Sequence, residues 1–371
     1  MKLSCLQENL NRGLGIVSRA VASRTTLPIT TNVLLKTDQS RLKLVATNLE
    51  MAITYWLGCK IESEGEITVP AKLISEFVAS LPSEQVDIEL PAGSGTLGLK
   101  CARFSAKISG ADAADFPPIP SVDDGITVSV DVEILKQAID QVAFAAATEE
   151  SRPVLTGVYA EFEGSTMTLA AADGFRLAVY KLALAQSVGE KIEIIIPARA
   201  LTELSRLMAE QQDPITIKVN PDKGQVLFVL KNVELVSQLV QGTFPKYAQL
   251  IPESHKTSTV VDVAAFLRAT RTASIFARDG SGIVRLIAVD DKLTVKASSE
   301  ELGEDTGEID ADVNGEEAKI AFNSKYLIEV LSVIKEPKVA LETTNPSSPG
   351  VIRPLESDAY VHVVMPMFVQ W

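Results

Sequence analysis

Cysteine is scarce in this 371-residue chain: Cys5, Cys59 and Cys101 are odd in number, far apart and confined to the first third. That spacing builds neither a disulfide framework nor a zinc site, and it points to a reducing, cytoplasmic setting. Aromatic residues make up 5% of the chain, so its cores must be mostly aliphatic. Of the two histidines, His255 and His362, neither stands in a His-Glu-x-x-His motif. There is no Gly-Lys-Ser/Thr phosphate loop and no Gly-x-Ser-x-Gly elbow. No apolar run approaches the ~20 residues that cross a bilayer, and the first eight residues lack the apolar stretch of a signal peptide. Positive charge is also short: 35 Lys and Arg stand against 48 Asp and Glu, a net charge of −13. Domains that adhere to nucleic acid are ordinarily basic, so a uniformly DNA-adhesive surface is excluded.

What is present is a phrase used three times. Val69-Pro70-Ala71-Lys72-Leu73-Ile74-Ser75-Glu76-Phe77 returns as Ile196-Pro197-Ala198-Arg199-Ala200-Leu201-Thr202-Glu203-Leu204. It returns again, altered, as Phe322-Asn323-Ser324-Lys325-Tyr326-Leu327-Ile328-Glu329-Val330. The offsets, 197 − 70 = 127 and 323 − 197 = 126, are too long for a solenoid unit and match a whole domain. Three like domains are expected, at residues 1–123, 124–253 and 254–371.

Each copy is expected to open on an amphipathic helix. Leu6, Leu10, Leu14, Val17 and Val21 form its stripe in the first copy, Leu135, Ile139, Val142 and Ala146 in the second, and Phe266, Ala269 and Ala273 in the third. β-rich runs separated by polar turns follow and read as antiparallel hairpins: Asn32 to Leu35 with Leu42 to Ala46, Gly157 to Phe162 with Thr166 to Ala170, and Ile283 to Val289 with Leu293 to Ala297. At the repeated phrase a second helix starts, with proline in its first turn. Its apolar face is Leu73, Phe77 and Leu81 in copy one, Leu201, Leu204 and Met208 in copy two, and Leu327, Val330, Leu331 and Ile334 in copy three. More strands close each copy. The fold class is α+β, with helices on one face of antiparallel sheet.

Four segments carry a family resemblance: Leu27-Pro28-Ile29 upstream of Thr47-Asn48-Leu49-Glu50-Met51, then Ala172-Asp173-Gly174-Phe175-Arg176-Leu177-Ala178, then Phe244-Pro245-Lys246-Tyr247, and finally Tyr360-Val361-His362-Val363-Val364-Met365-Pro366-Met367. Together, over the whole chain, they resemble the bacterial sliding clamp family, the beta subunit of DNA polymerase III. The resemblance implies a non-catalytic processivity factor: three clamp domains per chain, sheets outside and two helices each on an inner wall, closed as a head-to-tail homodimeric ring around duplex DNA. It implies no cofactor or metal. It implies docking of the replicative polymerase, the clamp loader, translesion polymerases and mismatch-repair or ligase proteins through linear peptides. The setting would be bacterial cytoplasm, at the nucleoid, with no membrane partner.

A ring holds DNA by topology, so its lining needs only modest positive charge while its outside stays acidic. The expected lining is Arg12, Arg19, Arg24, Lys72, Lys136, Arg199, Arg206, Arg268, Arg271 and Lys325. Arg24 and Lys72 match family positions that touch DNA; the others follow from helix position. Read singly, each is equally an ordinary solvated surface charge.

The resemblance also implies a hydrophobic peptide pocket between copies two and three, at Arg152, Leu155, Ala172, Gly174, Phe175, Arg176, Leu177, Pro245, Leu250, Asn323, Tyr326, Val363, Met365, Pro366 and Met367. Leu155, Leu177, Pro245, Val363 and Met365 would form its floor. On sequence alone Val363 and Val364 also read as core, and Asp173-Gly174 as a turn. The chain departs from the family at Phe368, where a basic residue is usual, and at Phe175, where histidine is frequent; both changes favour apolar contact. At the ring seam, Phe104 and Ala106 would face Ile275 and Phe276, and Arg103 and Lys107 would meet Glu300, Glu301 or Glu304.

Two other classes compete. A hydrolase or nucleotide-dependent enzyme finds only carboxylate-rich turns, at Asp123-Asp124, Asp290-Asp291 and residues 300–312, which solvation explains. A triplicated adaptor that never encircles DNA would account for the pocket and the acidity.

Overall fold

The computed structural model describes residues 1–22, 25–122, 125–277, 282–301 and 303–371. The first copy runs β1 (Lys2–Leu6), α1 (Gln7–Val17), β2 (Asn32–Asp38), β3 (Arg41–Thr47), β4 (Met51–Gly58), β5 (Lys60–Ser63), β6 (Glu66–Pro70), α2 (Ala71–Ala79), β7 (Gln85–Glu89), β8 (Thr96–Cys101) and β9 (Phe104–Ser109). The second runs β10 (Ile126–Val130), α3 (Val132–Val142), β11 (Gly157–Glu163), β12 (Thr166–Ala172), β13 (Arg176–Ala183), β14 (Ile192–Pro197), α4 (Ala198–Leu207), β15 (Ile215–Asn220), β16 (Gln225–Val229) and β17 (Val233–Gln238). The third runs β18 (Thr257–Asp262), α5 (Val263–Phe276), β19 (Ile283–Val289), β20 (Lys292–Ser299), β21 (Gly303–Gly315), β22 (Ala318–Asn323), α6 (Ser324–Val333), β23 (Lys338–Thr343), β24 (Gly350–Pro354) and β25 (Tyr360–Val364).

Each copy opens on a strand, not on the expected helix. Leu3 and Cys5 alternate inward along β1, which pairs with β7, and this period of two overrides the period of four at Leu6. Leu6 ends β1 and is exposed, whereas Leu10, Leu14 and Val17 of α1 are buried as expected. The second helices start at the repeated phrase, but Pro70 and Pro197 close the preceding strands instead of entering the helix. With Ala71 as first helical residue, α2 turns Ala71, Ile74 and Val78 to the core. Leu73, expected there, is half exposed. In copy three Asn323 replaces proline and caps α6, its Oδ1 accepting the Lys325 N–H at 2.9 Å.

Contacts divide the chain into two units. Met1–Val132 with Glu203–Leu239 forms one, and Glu133–Thr202 with Val240–Trp371 the other. The first holds a five-stranded sheet, β5-β1-β7-β8-β9, and an eight-stranded sheet, β10-β15-β16-β17-β4-β3-β2-β6. The second holds one sheet of twelve, β14-β11-β12-β13-β25-β24-β23-β18-β21-β20-β19-β22. The division cuts copy two because its strands pair with different neighbours. Its last strand, β17, pairs with β4 of copy one, Val233 opposite Tyr55 and Ser237 opposite Met51. Its own β13 pairs with β25, the last strand of copy three, Arg176 opposite Val364 and Tyr180 opposite Tyr360.

β4 and β13 hold the same place in their copies and are entered through the same turn. Asn48 Oδ1 accepts the N–H groups of Glu50 and Met51 at 3.1 and 2.9 Å. Asp173 Oδ1 accepts those of Phe175 and Arg176 at 2.9 and 3.0 Å. The next residue is left-handed in both, Leu49 at φ 75° and Gly174 at φ 96°. Side-chain capping of a tight turn fixes where each strand begins.

Candidate functional site

The Asp173 turn and the chain leaving β25 meet in the second unit. Leu177 stands opposite Val363 in the ladder, and the Met365 N–H extends it to the Phe175 carbonyl at 2.8 Å. Beside this ladder lies a groove of about 430 Å³ lined by Ala172, Gly174, Arg176, Leu177, Gln249, Leu250, Pro252, Pro349, Val363 and Met365. Its walls are mostly apolar. Leu250 and Met365 are 53% and 43% exposed, whereas Leu177 and Val363 are nearly buried and form the floor.

Seven of the residues expected in the pocket therefore line one groove: Ala172, Gly174, Arg176, Leu177, Leu250, Val363 and Met365. The rest lie around it. Leu155 belongs to the buried cluster with Tyr159, Leu177, Phe244 and Val363. Arg152 donates to the Asp173 carbonyl at 3.2 Å. The Pro245 carbonyl accepts from Tyr247, and Asn323 is engaged as a helix cap. The Met367 N–H, after Pro366, bonds the Ala321 carbonyl at 2.7 Å. Phe175 and Phe368 are exposed. Gln249, Pro252 and Pro349 were not expected. The first two flank Leu250 just after the Phe244-Pro245-Lys246-Tyr247 segment, but Pro349 precedes β24 and carries no sequence signal of its own.

One wall of the groove is charged yet buried. The Arg176 side chain is 6% exposed and is held on three sides: Nε donates to Asp173 Oδ2 at 3.0 Å, Nη2 to the Phe144 carbonyl at 2.7 Å, and Nη1 to Glu329 of α6. The guanidinium also lies 4.7 Å from the Tyr326 ring centroid and 5.2 Å from that of Phe144. Two carboxylates and two rings thus compensate its desolvation. Burial, followed by the Asp173 charge, raises the Tyr326 phenol. His362 lies behind the groove, fully buried and stacked on Phe144 at 5.6 Å. Burial and then the Arg176 charge lower its pKa to about 3, so the ring is neutral.

Nine of the ten expected DNA-facing cations are described; Arg24 lies outside the described residues. All nine sit on helices, Arg19 on the short 3-10 turn that follows α1. In the first unit Arg12, Arg19 and Arg206 line one recess of about 490 Å³. Most of the nine are tempered by carboxylates. Arg12 pairs with Glu210, Arg19 and Arg206 with Glu203 at 3.4 and 2.6 Å, and Lys136 with Asp140 at 2.6 Å. Lys72 and Lys325 each stand 3.9 Å from a glutamate one turn on. Arg199, Arg268 and Arg271 are exposed with no carboxylate within 4 Å among the described residues.

The expected seam residues occupy two sheet edges. In the first unit β9 has β8 as its one neighbour among the described residues. It carries Phe104, 54% exposed although it points the same way as buried Ile108. In the second unit β21 is long. Residues 311–315 pair with β18, while 303–310 pair with β20 alone among the described residues. Glu304 lies on that one-sided stretch, Glu300 and Glu301 just before it, and Ile275 is half exposed near the end of α5.

Three tandem copies of one strand-and-helix unit, joined by shared sheets, define a multidomain protein of the DNA-clamp fold class. The chain matches the DNA polymerase III beta subunit domain by domain: the N-terminal domain over residues 1–120, the central domain over 129–246 and the C-terminal domain over 248–368. It is 31% identical to the beta sliding clamp of Bacillus subtilis over 99% of both chains, and equally to that of Synechocystis. Its fold superimposes on the crystal structure of the B. subtilis DNA polymerase sliding clamp with a TM-score of 0.94 at 30% identity, covering both chains fully. The Pseudomonas aeruginosa sliding clamp bound to griselimycin gives 0.94 at 28% identity, again over all of both chains. The chain belongs to the DNA polymerase III beta subunit family, the bacterial beta sliding clamps. It is a non-catalytic factor of DNA replication, which removes the enzyme readings.

Proposed function

We propose that two copies of this chain close head to tail into a six-domain ring around duplex DNA, and that partner proteins dock by linear peptides in the groove beside β13 and β25. The observation that carries the ring is the strand equivalence. Both internal junctions pair a copy's last strand with the strand after the Asx turn of the copy before it: β17 with β4, and β25 with β13. Among the described residues, a last strand, β9 of copy one, and the first half of β21, the strand of copy three that holds the place of β4 and β13, remain unpaired on their outer sides. Joining β9 of one protomer to β21 of the next repeats the internal junction. Done twice, it leaves no such edge open. Phe104 and Ala106 would meet Ile275 and Phe276, and Arg103 and Lys107 the acidic run at Glu300, Glu301 and Glu304. Exposed ion pairs contribute ~0–1 kcal/mol each, so the apolar contacts dominate.

The three domains then fall at 1–123, 124–253 and 254–371, the first boundary lying on residues outside those described. The helical cations would contact phosphate without reading sequence. The groove suits an extended peptide with aliphatic or aromatic anchors, a few of which carry most of the affinity. Its occupants would include the replicative polymerase, the clamp loader, translesion polymerases and repair or ligase proteins, at the nucleoid in the bacterial cytoplasm. The test is retention on a nicked circular plasmid after loading by the clamp loader of the same source. Retention lost on linearisation supports the ring; equal retention on both forms, or none, supports the adaptor instead.

A further inference from the structure

The carboxylate that anchors the Arg176 wall also faces a lysine on the exposed side of α6. Glu329 Oε2 pairs with Arg176 Nη1, while Glu329 Oε1 lies 3.9 Å from Lys325 Nζ. The three residues differ sharply in exposure: the Arg176 side chain is 6% exposed, Glu329 32% and Lys325 72%. Glu329 does not line the groove. Arg176 does, and its remaining anchors are the Asp173 turn, which shapes the groove, and the Phe144 carbonyl.

We infer that Glu329 is a positioning residue shared by the peptide groove and the exposed face of α6, so that an anion captured by Lys325 tightens peptide docking beside Arg176. The inference rests on the peptide-groove reading above, and its anion on the DNA reading. A carboxylate divided between two cations holds each less firmly than one committed to a single partner. When Lys325 turns to a backbone phosphate, Glu329 is left to Arg176. The guanidinium and the Asp173 turn are then fixed in the arrangement that forms the groove, and the peptide no longer has to impose that order. Linkage makes the effect reciprocal: a docked peptide favours phosphate at Lys325 by the same factor. The path is short and physical, one ion pair on either side of one carboxylate. It runs from α6 of copy three to Arg176 at the start of β13 of copy two.

The test titrates a fluorescein-labelled hexapeptide with leucine and phenylalanine anchors against full-length variants. Lys325→Ala mimics a captured lysine and should tighten binding by about two- to fivefold, near the lower end of usual coupling factors. Lys325→Arg should behave as wild type. Glu329→Gln should weaken binding about tenfold, the scale of a lost hydrogen bond to a charged group. In that background Lys325→Ala should have no further effect, since coupled residues are not additive. Tightening on removal of an exposed side chain is not an effect that general destabilisation produces. Unchanged or weakened binding in Lys325→Ala, with binding still weakened about tenfold or more by Met365→Ala, overturns the relay and leaves the groove standing. A peptide that ignores Met365→Ala, or fails to bind wild type, overturns the groove reading itself and the relay with it. On rings loaded onto nicked circular DNA the peptide should bind about fivefold tighter than on free protein. That gain should vanish in Glu329→Gln; a gain that persists also overturns the relay.

Discussion

The backbone N–H of Met365 bonds the carbonyl of Phe175 at 2.8 Å, one rung beyond the Arg176–Val364 pair that ends the β13–β25 ladder. The Met365 side chain therefore projects over the groove from hydrogen-bonded backbone instead of from a free tail. Methionine adapts its shape to different anchors, which suits a surface that receives several partners. Met365→Ala is expected to weaken an anchor-bearing peptide about tenfold or more. Its melting temperature should stay close to wild type, because the side chain is 43% exposed. Fluorescence anisotropy with a thermal melt reads both, and an unchanged affinity removes Met365 from the site.

Phe368 is the most exposed of the large apolar side chains among the described residues, at 87%. It follows Met367, whose backbone is tied to Ala321. An aromatic ring held there can cover a bound peptide's apolar end. Phe368→Arg should lower affinity for a peptide ending in phenylalanine and raise it for one ending in aspartate. Equal affinities for both peptides in both proteins would place Phe368 outside the docking surface.

The ring seam predicts oligomeric state. Ile275→Ala with Phe276→Ala, or Phe104→Arg alone, should give monomer in sedimentation velocity at micromolar protein. Charge-neutralising changes at Arg103 and Lys107 should matter far less, since exposed ion pairs are weak. Persistent dimer in both apolar variants counts against the β9–β21 seam.

The helical cations predict a salt signature. Lys72→Ala with Arg199→Ala should shorten the lifetime of loaded rings on circular DNA equally for any sequence. It should also lower the slope of log affinity against log salt by about one for each phosphate contact removed. An unchanged slope would return both residues to ordinary surface charge.

His362 predicts pH dependence. Its folded pKa is about 3, whereas an unfolded histidine titrates near 6.5. Between these values the unfolded chain binds the extra proton. Stability from this group is therefore complete above about pH 6.5 and is lost as pH falls toward about 3. Its Nδ1 lies 3.1 Å from the Tyr360 hydroxyl, and its Nε2 finds no partner among the described residues. Urea unfolding from pH 7 to pH 5 should show a loss of up to roughly 1.4 kcal/mol per unit below pH 6.5. His362→Phe should flatten it. A parallel decline in both proteins would assign the loss to other groups.

The triplication and the α+β class were legible because a helix-starting phrase at a constant offset survives drift. The buried faces of α4 and α6 were legible because Leu201, Leu204, Leu327 and Val330 repeat at helical spacing. The opening strands were not. Lys2–Leu6 is five residues long, and its leucine continues a helical stripe by coincidence. Nor was the face of α2, where Leu73 and Ile74 are equal candidates until the entry from β6 sets the phase. At the groove, the residues of one ladder were foreseeable together. Pro349 and the Glu329 anchor were not, because they reach Arg176 and Val363 only through tertiary pairing.

Six of the nine described helical cations already have a carboxylate within 4 Å. On the proposed inner wall, a phosphate that arrives at such a cation displaces an ion of the same sign, and one that departs is replaced by it. Engagement and release then differ little in free energy from one position along the duplex to the next. The wall would behave as a lubricated bearing: friction stays low because most grips have a competing partner waiting beside them.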